Sequence, residues 1–205
     1  MARTATFLRW PGSKYRLAPR IVGLFPDYRT YVEVFGGAAC VLMLKERSRY
    51  EVLNDIDENV VNLFRVLRSP KRCRRLVYLV ARTPYSRTEF ELAVEGMGEL
   101  SRLGPTRRAH AFLILCNMAF TGVEGNLKTL TPGGFQSSVN SPGHGLQIWQ
   151  RLPLTIAAVT ERLRGVMIER QDWRRILDRF DREGVLFYVD PPYVSRRKIL
   201  YSHSI

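Results

Sequence analysis

The decapeptide Gly184-Val185-Leu186-Phe187-Tyr188-Val189-Asp190-Pro191-Pro192-Tyr193 joins an apolar run to a stiff polar tetrapeptide. Residues 184–189 lack the apolar–polar alternation of a half-exposed strand. They predict a strand buried in a parallel sheet. The two prolines fix φ and remove two backbone donors, so the carbonyls beside them are left pointing outward. Asp190 and Tyr193 are thereby delivered to the C-terminal end of a strand, where open α/β sheets bind their ligands.

Working outward, the same rhythm recurs on both sides. Residues 166–169 (VMIE) read as a strand, and Trp173, Ile176, Leu177 and Phe180 form a helical stripe after it. Near the N-terminus, residues 31–35 (YVEVF) read as a strand running into the Gly36-Gly37 turn. Residues 38–46 predict a helix, and residues 50–53 a strand ending at Asn54-Asp55. Asp57 suits an N-cap for a helix carrying Val60, Val61, Leu63, Phe64 and Leu67, stopped by Ser69-Pro70. Residues 71–164 hold helical patterns and few strand signals. Residues 110–121 are an apolar helix candidate there, and residues 131–145 a Gly/Pro/Ser/Asn-rich loop. The expected architecture is α/β: a Rossmann-like parallel sheet from residues 1–70 and 165–205, interrupted by a mainly helical insertion, 71–164.

Composition narrows the partners. The chain has 205 residues, 45% hydrophobic and 25% charged, so it can bury a core. Its net charge is +13, which points to a polyanion, with nucleic acid first. A membrane is disfavoured: no apolar run reaches roughly 18 residues, and there is no signal-peptide h-region, amphipathic basic helix or lipidation signal. Cys40, Cys73 and Cys116 have neither zinc spacing nor disulfide pairing. They read as core residues in a reducing cytoplasm, and no metal is expected.

The chemistry sits in three places. In Phe35-Gly36-Gly37-Ala38, small residues let backbone N–H groups approach a ligand, although a purely structural turn fits equally well. Asp55, nineteen positions after Gly36, suits a ribose diol or a plain helix cap, and Glu33 faces the same cleft. Trp10-Pro11-Gly12-Ser13-Lys14 offers an aromatic face and a cation, or forms an ordinary turn. The tetrapeptide is the most specific. Asp190 and the Pro191 carbonyl can accept from both protons of an exocyclic amine, and Tyr193 can stack on the ring that bears it. Such bonds favour the pyramidal, nucleophilic amine at the transition state. The rigid strand end aligns it for attack on a methyl sulfonium.

In this order, Trp10-Pro11-Gly12-Ser13-Lys14, Val32-Glu33-Val34-Phe35-Gly36-Gly37-Ala38, Asn54-Asp55-Ile56-Asp57 and Asp190-Pro191-Pro192-Tyr193 resemble the motifs of the Dam-type (D12 class) DNA adenine-N6 methyltransferases over nearly the whole chain. The resemblance implies an S-adenosylmethionine (SAM)-dependent enzyme that methylates a flipped-out adenine in double-stranded DNA, in the cytoplasm of a prokaryotic or phage-infected cell. It implies SAM contacts from Trp10, Lys14, Asp55 and Asp190, with Glu33, Phe35, Gly36 and Gly37 lining the site. The adenine is expected against Asp190, Pro191, Pro192 and Tyr193. Residues 108–122 resemble a family segment in the insertion, which places Asn117 and Gly122 there. Tyr201 and His203 resemble a Y-x-H element of phage members. Gly37-Ala38-Ala39 matches the usual small-residue loop only loosely, and Arg196-Arg197-Lys198 falls where a variable loop is expected.

DNA contacts are expected from Arg68, Lys71, Arg72, Arg74 and Arg75, whose alternative is a solvated helix face. Ile205 follows Tyr193 by twelve residues, so further strands are expected beyond the one at 184–189. Without them that strand is an apolar edge open to a second polypeptide. The competing readings are a non-catalytic SAM- or DNA-binding remnant and an N4-cytosine enzyme. Relatives of the latter more often carry Ser where this chain has Asp190.

Overall fold

In the computed structural model, which describes residues 7–120, 123–124, 131–137, 144–192, 194–195 and 198–199, α1 (Ala18–Val22) leads into β1 (Thr30–Glu33). α2 (Cys40–Leu44), β2 (Tyr50–Asn54) and α3 (Glu58–Arg68) complete the first β-α-β-α run. Then come α4 (Pro70–Arg82), α5 (Arg87–Glu95), a 3-10 segment (Gly96–Arg102) and α6 (Pro105–Met118). β3 (Val123–Glu124) and β4 (Thr131–Pro132) pair antiparallel, followed by α7 (His144–Arg162), β5 (Val166–Glu169), α8 (Trp173–Phe180) and β6 (Val185–Tyr188). β7 (Val194–Ser195) and β8 (Lys198–Ile199) form a second short antiparallel pair.

The four long strands make a parallel sheet in the order β5-β2-β1-β6. Val32 lies opposite Val52 on one side and Phe187 on the other, and Leu53 lies opposite Ile168. The chain builds outward from β1 through β2 to β5, then returns to the other side of β1. That reversal leaves a crevice at the C-terminal ends of β1 and β6, the place where doubly wound sheets bind ligands.

Side-chain alternation gives the sheet two apolar faces. Tyr31 and Leu53 join a large buried cluster running through Phe64 to Phe112 of α6 and Trp149 of α7. Val32, Val34 and Val52 pack on the other face with Ile176 of α8. The helices of residues 71–164 therefore share one core with the sheet. Among the described residues β6 pairs only with β1, and its four residues are half-buried, less covered than their unbroken apolar run predicts. No helix among the described residues is long and apolar enough to cross a membrane.

Most predicted elements form within a few residues of their expected bounds, and the shifts have local causes. α2 starts at Cys40 because Gly37 and Ala39 take left-handed backbone, φ 47 and φ 51. It ends at Leu44 because Lys45 extends and sends its ammonium 2.5 Å from Glu51, which Arg162 also holds at 2.6 and 2.8 Å. That buried network clasps α2, β2 and α7 at the end of the sheet away from the crevice. α6 starts at Pro105, a residue suited to a first helical turn. It stops at Met118, where Ala119 becomes extended and bridges to Phe135.

Asp57 caps α3 as its sequence suggests, accepting from the backbone N–H of Asn59 at 2.8 Å and Val60 at 3.2 Å. Asp57→Ala is expected to lower unfolding stability by about 1 kcal/mol, read as a shift in the urea midpoint with the slope unchanged.

Candidate active site

A cavity of about 370 Å³ opens at the crevice, lined by residues 10–14, 33–41, 54–57, 171–173, 188 and 190–192. Each wall is the end of an element whose direction the sheet fixes. The Gly36-Gly37 loop leaves β1, Asp55 leaves β2, Gln171 to Trp173 leave β5, and Asp190 leaves β6.

The glycine loop is built for close approach. A Cβ on Gly36 would lie 2.7 Å from the Leu53 Cδ1, and one on Gly37 would lie 2.7 Å from the Trp10 Cδ1. Trp10 is thus seated on the loop, with its other flank against the Phe112 ring, centroids 5.7 Å apart and edge-on. The Gly37 N–H donates to Asp55 Oδ2 at 2.7 Å, and the Asp57 N–H donates to Oδ1 at 2.8 Å. Each carboxylate oxygen keeps a second acceptor site. Asp55 therefore braces the glycine loop and the turn after β2, while the cap of α3 falls to Asp57. Burial pushes its carboxyl up to about 6, against the pull of those N–H groups.

Lys14 reaches across the mouth. Its ammonium donates to the Gly12 carbonyl at 2.8 Å and pairs with Asp190 Oδ2 at 2.6 Å. The Tyr188 hydroxyl stands 3.5 Å from the same oxygen. The first and last motifs of the chain, 176 positions apart, thus meet in one ion pair. Pro191 and Pro192 line the cavity beside it. Tyr193, Gly122, Tyr201 and His203 lie outside the described residues.

Glu33 forms part of the floor and is 2% exposed. Its Oε2 accepts from the Tyr31 hydroxyl at 2.7 Å and the Leu42 N–H at 2.9 Å. Burial raises its carboxyl to about 8, outweighing both bonds, and the Asp190 carboxylate adds to the rise. Between its ordinary value of 4.5 and about 8, the folded chain holds a proton that the unfolded chain has released. Stability is therefore expected to fall as pH rises through that window, by up to roughly 1.4 kcal/mol per unit. Urea titrations at pH 5, 6.5 and 8 on wild type and Glu33→Gln check this, because the glutamine removes the group's share of the slope.

Several lining residues have roles that the sequence patterns do not show. Asn54 donates to the Val34 carbonyl at 2.9 Å and the Gln171 carbonyl at 3.1 Å, and accepts from the Gln171 N–H at 2.9 Å. It locks three strand ends together. In the sequence Trp173 reads only as part of a helical stripe. Its indole lies in the cavity wall under the Arg174 guanidinium, 4.4 Å from the ring centroid, and its buried Nε1 has no hydrogen-bond partner among the described residues. The strand-end rule that singles out Asp55 and Asp190 would have found Gln171 to Trp173 after residues 166–169.

The basic cluster is placed elsewhere. α3 starts beside the cavity at Asp57 and spans eleven residues, roughly 16 Å. At its far end the Arg68 guanidinium donates to the carbonyl of Val166, the first residue of β5. Arg68 is thus engaged with the sheet. The exposed Lys71, Arg72, Arg74 and Arg75, in the first two turns of α4, sit at the edge opposite the cavity. Nearness in sequence could not show which end of α3 faces the site.

The profile of the family described as D12 class N6 adenine-specific DNA methyltransferase matches residues 10–204. The DNA adenine methylase of Serratia marcescens is 27% identical over 198 residues, 94% of this chain and 68% of that protein. That of Vibrio cholerae serotype O1 is 29% identical over 103 residues, 43% of this chain and 37% of the relative. That of Escherichia coli (strain K12) is 34% identical over 68 residues, 33% of this chain and 24% of the relative. The matched part of this chain is thus well under half the length of the Vibrio and Escherichia relatives.

Proposed function

Since the chain belongs to the D12 class of N6 adenine-specific DNA methyltransferases, we propose that its cavity binds SAM and that Asp190 presents an adenine N6, flipped out of double-stranded DNA, for methylation. The observation that supports this most directly is the convergence of the Gly36-Gly37 loop, Asp55, Trp10 and the Lys14–Asp190 pair around one cavity at the sheet's switch point.

The residues present suit the donor. The absence of side chains at Gly36 and Gly37 lets Leu53 and Trp10 pack against the loop that walls the cavity. Asp55 can accept from a ribose diol, and Trp10 and Trp173 offer aromatic surfaces to a purine. Lys14 and Asp190 already form an ion pair, and the carboxylate and ammonium of an amino acid can insert between them with each charge answered. When bound, SAM supplies an electrophilic methyl group on a sulfonium. Asp190 and the Pro191 carbonyl accept from the two amine protons, which raises the nucleophilicity of the nitrogen as it pyramidalises. Tyr193 stacks on the extruded base.

Lys71, Arg72, Arg74 and Arg75 act from the opposite edge of the sheet. Their role in this reading is attraction of the duplex through its phosphates, with a salt-dependent effect on association. Asp190 in the first motif position favours adenine over cytosine. The reading is tested by titrating the chain with SAM calorimetrically, then incubating it with tritiated SAM and unmethylated duplex DNA and identifying the base by mass spectrometry. N6-methyladenine is the expected product. N4-methylcytosine would overturn the substrate assignment. SAM and DNA binding without transfer would identify a non-catalytic module.

A further inference from the structure

The floor of the cavity holds a carboxyl group, that of Glu33, with only one of its two oxygens hydrogen-bonded among the described residues. Both hydrogen bonds to Glu33 fall on Oε2, from the Tyr31 hydroxyl and the Leu42 N–H. Oε1 accepts nothing from the described residues, yet it is not among the buried atoms sealed away without a partner. Glu33 is one of the residues that line the cavity. The cations nearby are committed elsewhere: Lys45 is 2.5 Å from Glu51, which also holds Arg162, and Lys14 is 2.6 Å from Asp190. An acidic group on an enclosed floor, with an unmet oxygen and no dedicated counter-charge, is matched by a ligand that brings a positive charge of its own.

We infer that Glu33 discriminates the cationic sulfonium of SAM from the neutral thioether of its product, S-adenosylhomocysteine, and so weakens the site's hold on the product once the methyl group has left. This rests on the reading of the cavity as the SAM site. Without the cation, desolvation and the Asp190 carboxylate keep Glu33 protonated, with its carboxyl raised to about 8. A sulfonium over the floor reverses that balance. The proton leaves to solvent, and the carboxylate then opposes the positive charge. The product supplies no charge, so Glu33 stays neutral and contributes no ionic attraction.

The groups facing Glu33 bear on the test. Tyr31 stands beside it on β1, Tyr188 and Asp190 come from β6 and its end, Cys40 from α2, Lys45 from the turn after α2, and Lys14 from the N-terminal segment. Asp55, raised to about 6, also titrates in the useful range. SAM and S-adenosylhomocysteine share the same ribose and amino-acid groups, so Asp55, Lys14 and Asp190 affect both ligands alike and largely cancel in a ratio of affinities. Charge on the sulfur does not cancel.

The experiment is isothermal titration of the full chain with SAM and with S-adenosylhomocysteine, from pH 6 to 8, in buffers of differing ionisation enthalpy. For wild type, the preference for SAM over product is expected to grow with pH by up to about tenfold per unit. SAM binding should release close to one more proton than product binding at pH 7. Glu33→Gln, whose amide oxygen can still accept from Tyr31 and Leu42, is expected to flatten that ratio and remove the extra proton while binding the product as wild type does. A wild-type ratio flat in pH, with equal proton release for both ligands, overturns the inference without any variant. A slope that survives in Glu33→Gln overturns it as well. Binding of neither ligand would instead refute the SAM reading of the cavity, and this inference with it.

Discussion

Asp190→Ala is expected to reduce methyl transfer by about 10³-fold or more, the loss found when a group that acts on transition-state charge is removed from an enclosed site. Three consequences of the truncation add. The amine loses an acceptor that is held rigidly by the following prolines. The Lys14 ammonium, half-buried at the mouth, loses the partner 2.6 Å away. The acidic end of the site that would receive the amino-acid ammonium disappears. Asp190→Asn separates these effects. The amide keeps an oxygen able to accept from the target amine but cannot answer Lys14 or an ammonium. It is expected to weaken SAM affinity by roughly tenfold to a hundredfold, the scale of one charge-assisted bond, while retaining more of the single-turnover rate at saturating SAM than alanine does. Rates within tenfold of wild type for Asp190→Ala would sink the assignment of this carboxylate to the amine.

Different parts of the site were legible in the sequence to different degrees. The Asp190 tetrapeptide and the Gly36-Gly37 turn could be read because each follows an apolar strand, and strand ends in a parallel sheet share one side. The meeting of Lys14 with Asp190 could not be read, because periodicity carries no information about pairs 176 residues apart; only the family resemblance grouped them. Trp173 was hidden by a true but incomplete reading. It does belong to the apolar stripe of α8, yet as the first residue of that helix it also closes the cavity. Ala39 adopts φ 51, a left-handed geometry that no side-chain rule assigns to alanine, and this is why α2 starts later than its composition suggests. The arginine-rich start of α4 illustrates the converse. Its charge and exposure were evident, but the direction of α3, which carries it to the far edge of the sheet, depends on Asp57 capping one end and Arg68 gripping Val166 at the other.

Gly37→Val is expected to lower SAM affinity by at least about a hundredfold while leaving the chain folded, because the defect is confined to the loop that joins three parts of the site. At φ 47 a β-branched residue sits where L side chains are disfavoured by roughly 1–2 kcal/mol. Its Cβ would also lie 2.7 Å from the Trp10 Cδ1 and 3.0 Å from Nε1. Neither neighbour gives way easily: Trp10 is backed by Phe112, and the Gly37 N–H is fastened to Asp55 at 2.7 Å. Relief of the clash must therefore move the indole or release the carboxylate, and either change deforms the cavity. The milder Gly37→Ala divides the loss into its two causes through a double-mutant cycle with Trp10→Ala. If the indole is the obstacle, Gly37→Ala should cost much less SAM affinity in the Trp10→Ala background, leaving only the backbone cost of the left-handed conformation. If the cost is the same in both backgrounds, steric contact with Trp10 is not what demands glycine here, and the loop's role must be sought in backbone conformation alone.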